Sequence, residues 1–344
     1  MDLIGEFLGA MPLPALMVDH NERVIGANAA AVTLLGQSLK DRHFSIVLRQ
    51  PALIDAIETC LRDQSAATTR YLGADGAQDT TFDVSLRYVN GVGNAQRGAV
   101  LLSFFDVTER EQAGQMRRDF VSNVSHELRT PLTAMLGFIE TLRGAAKDDP
   151  VARDRFLEIM ENEGNRMNRL VDDLLSLNRV ESQERVRPRE QVDLGRHLQS
   201  TLHTLAPLAA EAGTKLSIDA PEDVIIVLGD ADQLKQVFTN LIENAIKYGG
   251  PNVHVVLHGP QRDRSLRTNA VRIAVTDDGP GINPTHLPRL TERFYRADSH
   301  RSRAKGGTGL GLAIVKHIIN RHRGRLKMES ELGKGTTFSV ILPA

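Results

Sequence analysis

Residues 230–249 read DADQLKQVFTNLIENAIKYG. Leu234, Val237, Phe238, Leu241, Ile242, Ala245 and Ile246 recur there at three- and four-residue steps, which on a 3.6-residue helix make one apolar stripe. Asp230 stands where an N-cap carboxylate would accept the first free amides. Asn240, Asn244, Lys247 and Tyr248 fall along a second flank at the same steps. Asn244 brings a neutral oxygen suited to a Mg²⁺ that keeps several waters and binds substrate phosphates. Lys247 brings a compact positive charge for phosphate. An Asn-rich flank on its own is a solvated face, so the stretches around it have to decide its meaning.

Downstream, residues 271–275 predict a strand that runs into TDDGPGI, 276–282. Asp277 at the strand end could accept an exocyclic amine of a base. Gly279 and Gly281 make a tight turn and let a base or phosphate come close to the backbone. A second glycine stretch, GGTGLGLAIVKHI at 306–318, sets Gly307, Gly309 and Gly311 ahead of an amphipathic helix, whose N-terminal amides form an anion site. Between the two, residues 282–306 carry Arg293, Arg296, Arg301, Arg303 and Lys305 against few acids. A long loop of that kind reads as a basic lid over phosphates, or as a solvated basic loop. Neither a dinucleotide fingerprint nor a P-loop is present. Residues 192–344 are thus expected to form an α+β domain with its own core.

Upstream, two apolar stripes predict a helical hairpin over 109–181. One runs through Met116, Phe120, Val124, Leu128, Leu132, Met135, Leu136, Ile139 and Leu142. The other runs through Phe156, Ile159, Met160, Met167, Leu170, Val171, Leu174 and Leu175, after a break at 144–150. Two helices cannot bury both stripes alone, and a symmetric dimer forming a four-helix bundle would. His126, in FVSNVSHELRTPL at 120–132, is two residues from both Val124 and Leu128. That is a rotation of about 200°, so the imidazole should face solvent. A neutral imidazole nitrogen is a nucleophile. Glu127 could orient the ring and raise its basicity. Thr130, one turn on, could position a water. Pro131 should kink the helix. Zinc spacing of the HExxH kind is absent, and taken alone this stretch is a surface histidine beside a glutamate.

Residues 1–108 mix short strands and helices: strands at 16–18, 23–25, 81–89 and 99–105, and a helix capped by Asn28. An antiparallel sheet with helices on one face is the expected assembly. The charged stretch around 182–191 reads as a linker. His20 and His43 read as surface or capping histidines rather than haem ligands. Cys60 reads as a small buried hydrophobe.

The 344 residues suffice for two or three domains, and one cysteine excludes an intrachain disulfide or a cysteine-based zinc site. A net charge of -1 gives no bias toward nucleic acid or an anionic membrane. No run of about 20 apolar residues is present to span a bilayer, so the expected location is cytoplasmic, with any membrane association through a partner.

Taken in order, HELRTP (126–131), NLIENAIKYG (240–249), DDGPGI (277–282), ERFYR (292–296) and GTGLGLAIVK (307–316) resemble the H, N, G1, F and G2 boxes of sensor histidine kinases. The last four are shared with the wider gyrase- and Hsp90-type ATP-binding fold. The resemblance spans about 110–344 and implies a set of roles. His126 would be the phosphoacceptor, Glu127 its acid/base partner, and Thr130 an aid to dephosphorylating the regulator. Asn244 would hold Mg²⁺, with Asn240, Lys247 and Tyr248 against ATP. Asp277 would hold adenine beside Gly279 and Gly281. Phe294 would anchor the lid, and Gly307, Gly309 and Gly311 would flank the phosphates. Residues 13–36 (LPALMVDHNERVIGANAAAVTLLG) and 104–111 (FFDVTERE) resemble the opening and exit of a PAS domain of unknown ligand. The whole looks most like phosphate-regulon sensor kinases. It implies a homodimer that passes phosphate to an aspartate of a separate response regulator, since no receiver domain follows within the sequence. The competing readings are an ATPase or serine kinase on the same ATP-binding fold, which would need no histidine upstream, and a phosphatase-dominant signalling scaffold.

Overall fold

The computed structural model describes residues 3–36, 39–75, 78–91, 98–297 and 307–344. Arg301, Arg303 and Lys305 of the expected lid lie outside the described residues, as does most of the turn after Asn90. The chain divides into two compact units, Met1–Asp119 and Phe120–Ala344.

The first unit is an antiparallel five-stranded sheet in the order β2-β1-β5-β4-β3, with β1 at Ala15–Asp19, β2 at Val24–Ala27, β3 at Ala67–Asp75, β4 at Gln78–Val89 and β5 at Ala99–Asp106. Helices α2 (Ala29–Leu35), α3 (Phe44–Val47) and α4 (Pro51–Asp63) contribute to the core on one face. The alternation expected at 81–89 holds: Phe82, Val84 and Leu86 are buried there against Phe44, Leu53 and Ile57. The expectation of helices on one face alone is corrected by α1, Leu3–Gly9. Its Leu8 packs against Ala15, Met17 and Ala99 on the opposite face. Gly26 permits this, since a Cβ there would meet Leu8 Cδ1 at 2.9 Å.

Asn28 caps α2 as expected and does more. Its side-chain oxygen accepts the amides of Ala31 and Ala15, and its Nδ2 donates to the carbonyls of Leu8, Met11 and Leu13. A buried amide is tolerable only when satisfied in this way. His43 is a capping histidine: it caps α3 and meets Glu22 at 2.8 Å. The Cys60 thiol is buried, donates to the Ser65 carbonyl at 2.8 Å, and is pushed up by burial, which fits a packing role.

The second unit holds the hairpin and an α/β lobe. Helix α5 runs over Thr108–Arg143, straight through Pro131 without a break in the helix, and the division between the units falls within it. After a turn, α6 runs over Pro150–Gln183, capped by Asp149. In the lobe, β6 (Glu190–Asp193) and β8 (Ile226–Gly229) form a two-stranded ribbon. The main sheet has the order β11-β12-β10-β9-β7, built from β7 (Lys215–Asp219), β9 (Asn252–Asp263), β10 (Thr268–Asp277), β11 (Arg325–Glu331) and β12 (Gly335–Pro343). All its pairs are antiparallel except β7 with β9. Helices α7 (Leu194–Glu211), α8 (Ala231–Tyr248) and α9 (Gly311–Arg321) cover one face. The stripe read from 230–249 is the buried face of α8. Fully burying each large apolar side chain of this kind is worth about 1.5–3 kcal/mol.

The segment 182–191 contacts α9. Glu184 meets His317 at 3.2 Å, and the carbonyl of Val186 accepts from Arg321 at 3.0 Å. Leu170, Leu177 and Val180 of α6 belong to the same buried cluster as the lobe, so hairpin and lobe share a core. Among the described residues, no helix is long and apolar enough to cross a membrane.

Candidate functional site

Three motif stretches converge on α8. At its middle, Asn240 Nδ2 approaches the Gly311 carbonyl at 3.5 Å. At its C-terminal end, Gly249 packs on Asp277: a Cβ on Gly249 would lie 2.6 Å from the Asp277 Cβ, and one on Gly279 would lie 2.7 Å from the Gly249 Cα. Asn244 therefore sits on α8 between the loop that leads into α9 and the loop that leaves β10. Among the described residues its amide makes no hydrogen bond and is half-buried, which fits an oxygen offered to a hydrated cation. Lys247 lies one turn from Glu243 and pairs with it at 2.6 Å; Tyr248, half-buried, is on the same flank.

Asp277 is buried, accepts the Gly279 amide at 2.9 Å, and is pushed up from the usual carboxylate range by burial. A buried acceptor in that position suits an amine donor such as that of a base. The glycines of these loops also sit against the protein's own backbone. Gly281, at φ +71°, has no room for a Cβ against the Glu331 carbonyl, and Gly335, at φ +108°, has none against the Asp277 carbonyl. Gly309, at φ +76°, would place a Cβ 2.9 Å from the Phe294 Cα. What they permit is the close approach of the protein's own backbone to itself, which shapes the loops. Gly307 opens the same loop at the edge of the described residues. A depression of about 330 Å³ lined by Thr276, Asp277, Glu329, Gly335, Thr336 and Thr337 adjoins the end of β10. By strand alternation Thr276 and Thr337 point away from the α8 side of the sheet, and Asp277 toward it.

Phe294 has a positive φ of 63°, donates its amide to the Gly309 carbonyl at 2.8 Å, and sets its ring 5.9 Å from that of Phe120 of α5, tilted by 42°. Expected as a lid anchor, it joins lid, glycine loop and hairpin. The basic residues of 282–297 are not held open for phosphate. Arg293 pairs with Glu181 at 2.5 Å and Arg296 with Glu127 at 3.2 Å.

On the hairpin, His126 is exposed, as its spacing predicted. Thr130 donates its hydroxyl to the His126 carbonyl at 3.1 Å. Glu127 is gripped by two guanidiniums, Arg166 of α6 at 2.5 Å and Arg296 of the lobe at 3.2 Å. Beside them, Thr308 donates to Asp173 of α6 at 2.6 Å. Asp173 is pushed up by burial first, with Asp172 and Glu243 adding to the shift and the Thr308 bond and Lys247 opposing it. Arg166, Asp173 and Thr308 were not singled out in the sequence. Arg166 and Asp173 lie on the polar flank of an ordinary amphipathic helix, and nothing in their spacing marks them.

The comparisons agree with this arrangement. Residues 116–183 match the His Kinase A (phospho-acceptor) domain, and residues 229–344 match the histidine kinase-, DNA gyrase B- and HSP90-like ATPase family. The phosphate regulon sensor protein PhoR of Pseudomonas aeruginosa is 42% identical over 234 residues, covering 68% of this chain and 52% of that protein. The sensor protein kinase WalK of Staphylococcus aureus is 40% identical over 239 residues, covering 69% of this chain and 56% of that protein. The chain thus spans about half the length of these relatives. The histidine kinase ThkA, crystallised with the response regulator protein TrrA, shares the fold at a TM-score of 0.51 and 21% identity, covering 98% of this chain and 97% of that one. With an exposed histidine on the matched hairpin and a matched ATPase lobe docked beside it, the chain belongs to the sensor histidine kinases.

Proposed function

We propose that the protein phosphorylates its own His126 from ATP and passes the phosphoryl group to an aspartate of a separate response regulator. The observation that carries this is the Arg296–Glu127 pair. It brings the lobe, at the segment following Phe294, against the residue next to the exposed histidine. The α8 flank fits a nucleotide: Asn240, Asn244, Lys247 and Tyr248 would lie along it, Asp277 would take the base, and the loop of Gly307, Gly309 and Gly311 would receive phosphates. When bound, ATP supplies the γ-phosphoryl group and Mg²⁺ on Asn244 offsets its charge. The protein's own part is positioning, as in other phosphoryl transfers. His126 presents a neutral ring nitrogen, and Glu127 accepts the proton of the other. Thr130, on releasing the His126 carbonyl, would orient a water for dephosphorylating the regulator.

The first unit supports a PAS-like sensor, with its antiparallel sheet and one-sided main core. Its domain would end near 108, with the dimerisation hairpin at 109–181 and the catalytic domain from 192. Likeness to PhoR supports phosphate-regulon signalling, and likeness to WalK at nearly the same identity supports another input equally.

Incubation with γ-labelled ATP and Mg²⁺ tests the proposal on native protein, His126→Gln and Asn244→Ala. The expected outcome is an acid-labile, alkali-stable label present in the native protein and lost in both variants. ATP hydrolysis with no protein-bound label, unchanged by His126→Gln, would overturn it in favour of an ATPase.

A further inference from the structure

Two guanidiniums meet on Glu127, and both hold the same oxygen. Arg166 reaches Oε2 at 2.5 Å from α6, and Arg296 reaches it at 3.2 Å from the lobe. Among the described residues Oε1 takes no hydrogen bond. The two contacts differ in kind. Arg296 comes from the lobe, across its contact with the hairpin. Arg166 comes from the partner helix of the same hairpin, is itself braced at 3.5 Å by Glu163, and is only 14% exposed. Its hold on Glu127 is therefore made within the hairpin alone.

From this we infer that Arg166 is a positioning residue for phosphoryl transfer at His126, fixing the Glu127 carboxylate by Oε2 so that Oε1 alone is left to serve the imidazole. The inference rests on the proposed role of His126. Its physical reason is geometric. Neighbouring side chains on a helix diverge by about 100°, and an unanchored glutamate has three rotatable bonds, so without an anchor the carboxylate seldom meets the ring. A misplacement of about 1 Å in such a group can cost on the order of 10²-fold in rate. Arginine suits the task because its planar fork holds one carboxylate and braces on another at once, which a lysine's point charge does less well.

The test measures initial rates of His126 labelling against ATP concentration and pH, for native protein, Arg166→Ala, Arg166→Lys, Glu127→Gln and the Arg166→Ala/Glu127→Gln double variant. Circular dichroism checks the helices. Expected are a fall of about ten-fold or more in kcat for Arg166→Ala with KM for ATP unchanged, a displaced pH profile, partial recovery in Arg166→Lys, and no further loss in the double variant over Glu127→Gln. Native kcat and pH profile in Arg166→Ala would overturn the inference. So would a loss that adds fully to that of Glu127→Gln, since Arg166 would then be acting on the fold and not through Glu127. If native protein labels at a residue that survives His126→Gln, the His126 proposal itself fails and this inference falls with it, a result distinct from the other two.

Discussion

His322 is buried at the junction of α9 and α8, where its Nε2 accepts the Asp230 amide at 3.0 Å and its Nδ1 donates to the Ile318 carbonyl at 2.7 Å. That geometry requires the neutral ring, and burial, with Arg321 and Arg187 near, pushes it below the usual histidine range against the Ile318 bond and Asp230. The unfolded chain binds a proton near pH 6.5 and the folded lobe does so only lower. The bond to Asp230 is thus fully available above about pH 6.5. Stability is lost as pH falls from there through the depressed folded value. Urea melts at pH 8 and pH 5 should show a larger drop in unfolding free energy for native protein than for His322→Gln, which can still accept the Asp230 amide without titrating in this range. Equal drops in the two would remove His322 as the cause.

Among elements, the long helices were the most legible in the sequence and their partners the least. The α8 stripe, the Asn28 cap and the alternation of β4 repeat with the period of their own element, so local spacing alone reveals them. The ribbon of β6 and β8 and the placement of α1 have no such repeat: each depends on a distant surface, as Leu8 on Met17 shows. The grip on Glu127 comes from residues 39 and 169 positions away, beyond any pattern in HELRTP. Pairing of α6 with the lobe leads to a second expectation, at Asp173. Its carboxyl is raised in the docked arrangement, so docking is favoured at low pH. That advantage fades as pH rises from the unfolded value through the raised one, and at neutral pH the ionised form carries the cost of burial. Asp173→Asn removes that cost, and its amide oxygen can still accept the Thr308 hydroxyl. The variant should therefore melt higher than native protein at pH 7, and the difference should shrink at pH 4. A lower melting temperature at pH 7 would mean that the ionised pair stabilises.

For the whole molecule, the apolar residues that the hairpin leaves exposed set the state of assembly. Val121, Leu132, Leu136 and Ile139 on α5, with Leu157, Val171 and Leu175 on α6, remain exposed even with the lobe docked. Exposed stripes of this kind are uncommon on monomers. A second copy would cover them in a four-helix bundle, as the sequence stripes suggested. Leu136 is 54% and Leu175 65% exposed, so lysine at both should leave each chain folded. Light scattering should then report half the native mass, with binding of a non-hydrolysable ATP analogue retained by the lobe. An unchanged mass would place the contact elsewhere.

The crowding of Gly249 and Gly279 around Asp277, with Gly335 pressed on its carbonyl, has a consequence for how this region can vary. Replacing any one of the three forces apart the same small knot of backbone. In a library of random variants they would count as a single locus. A first replacement opens the knot and a second finds little left to break, so the lesions are strongly epistatic and do not sum. Change in this corner of the fold therefore has to arrive as a coordinated redesign of three loops.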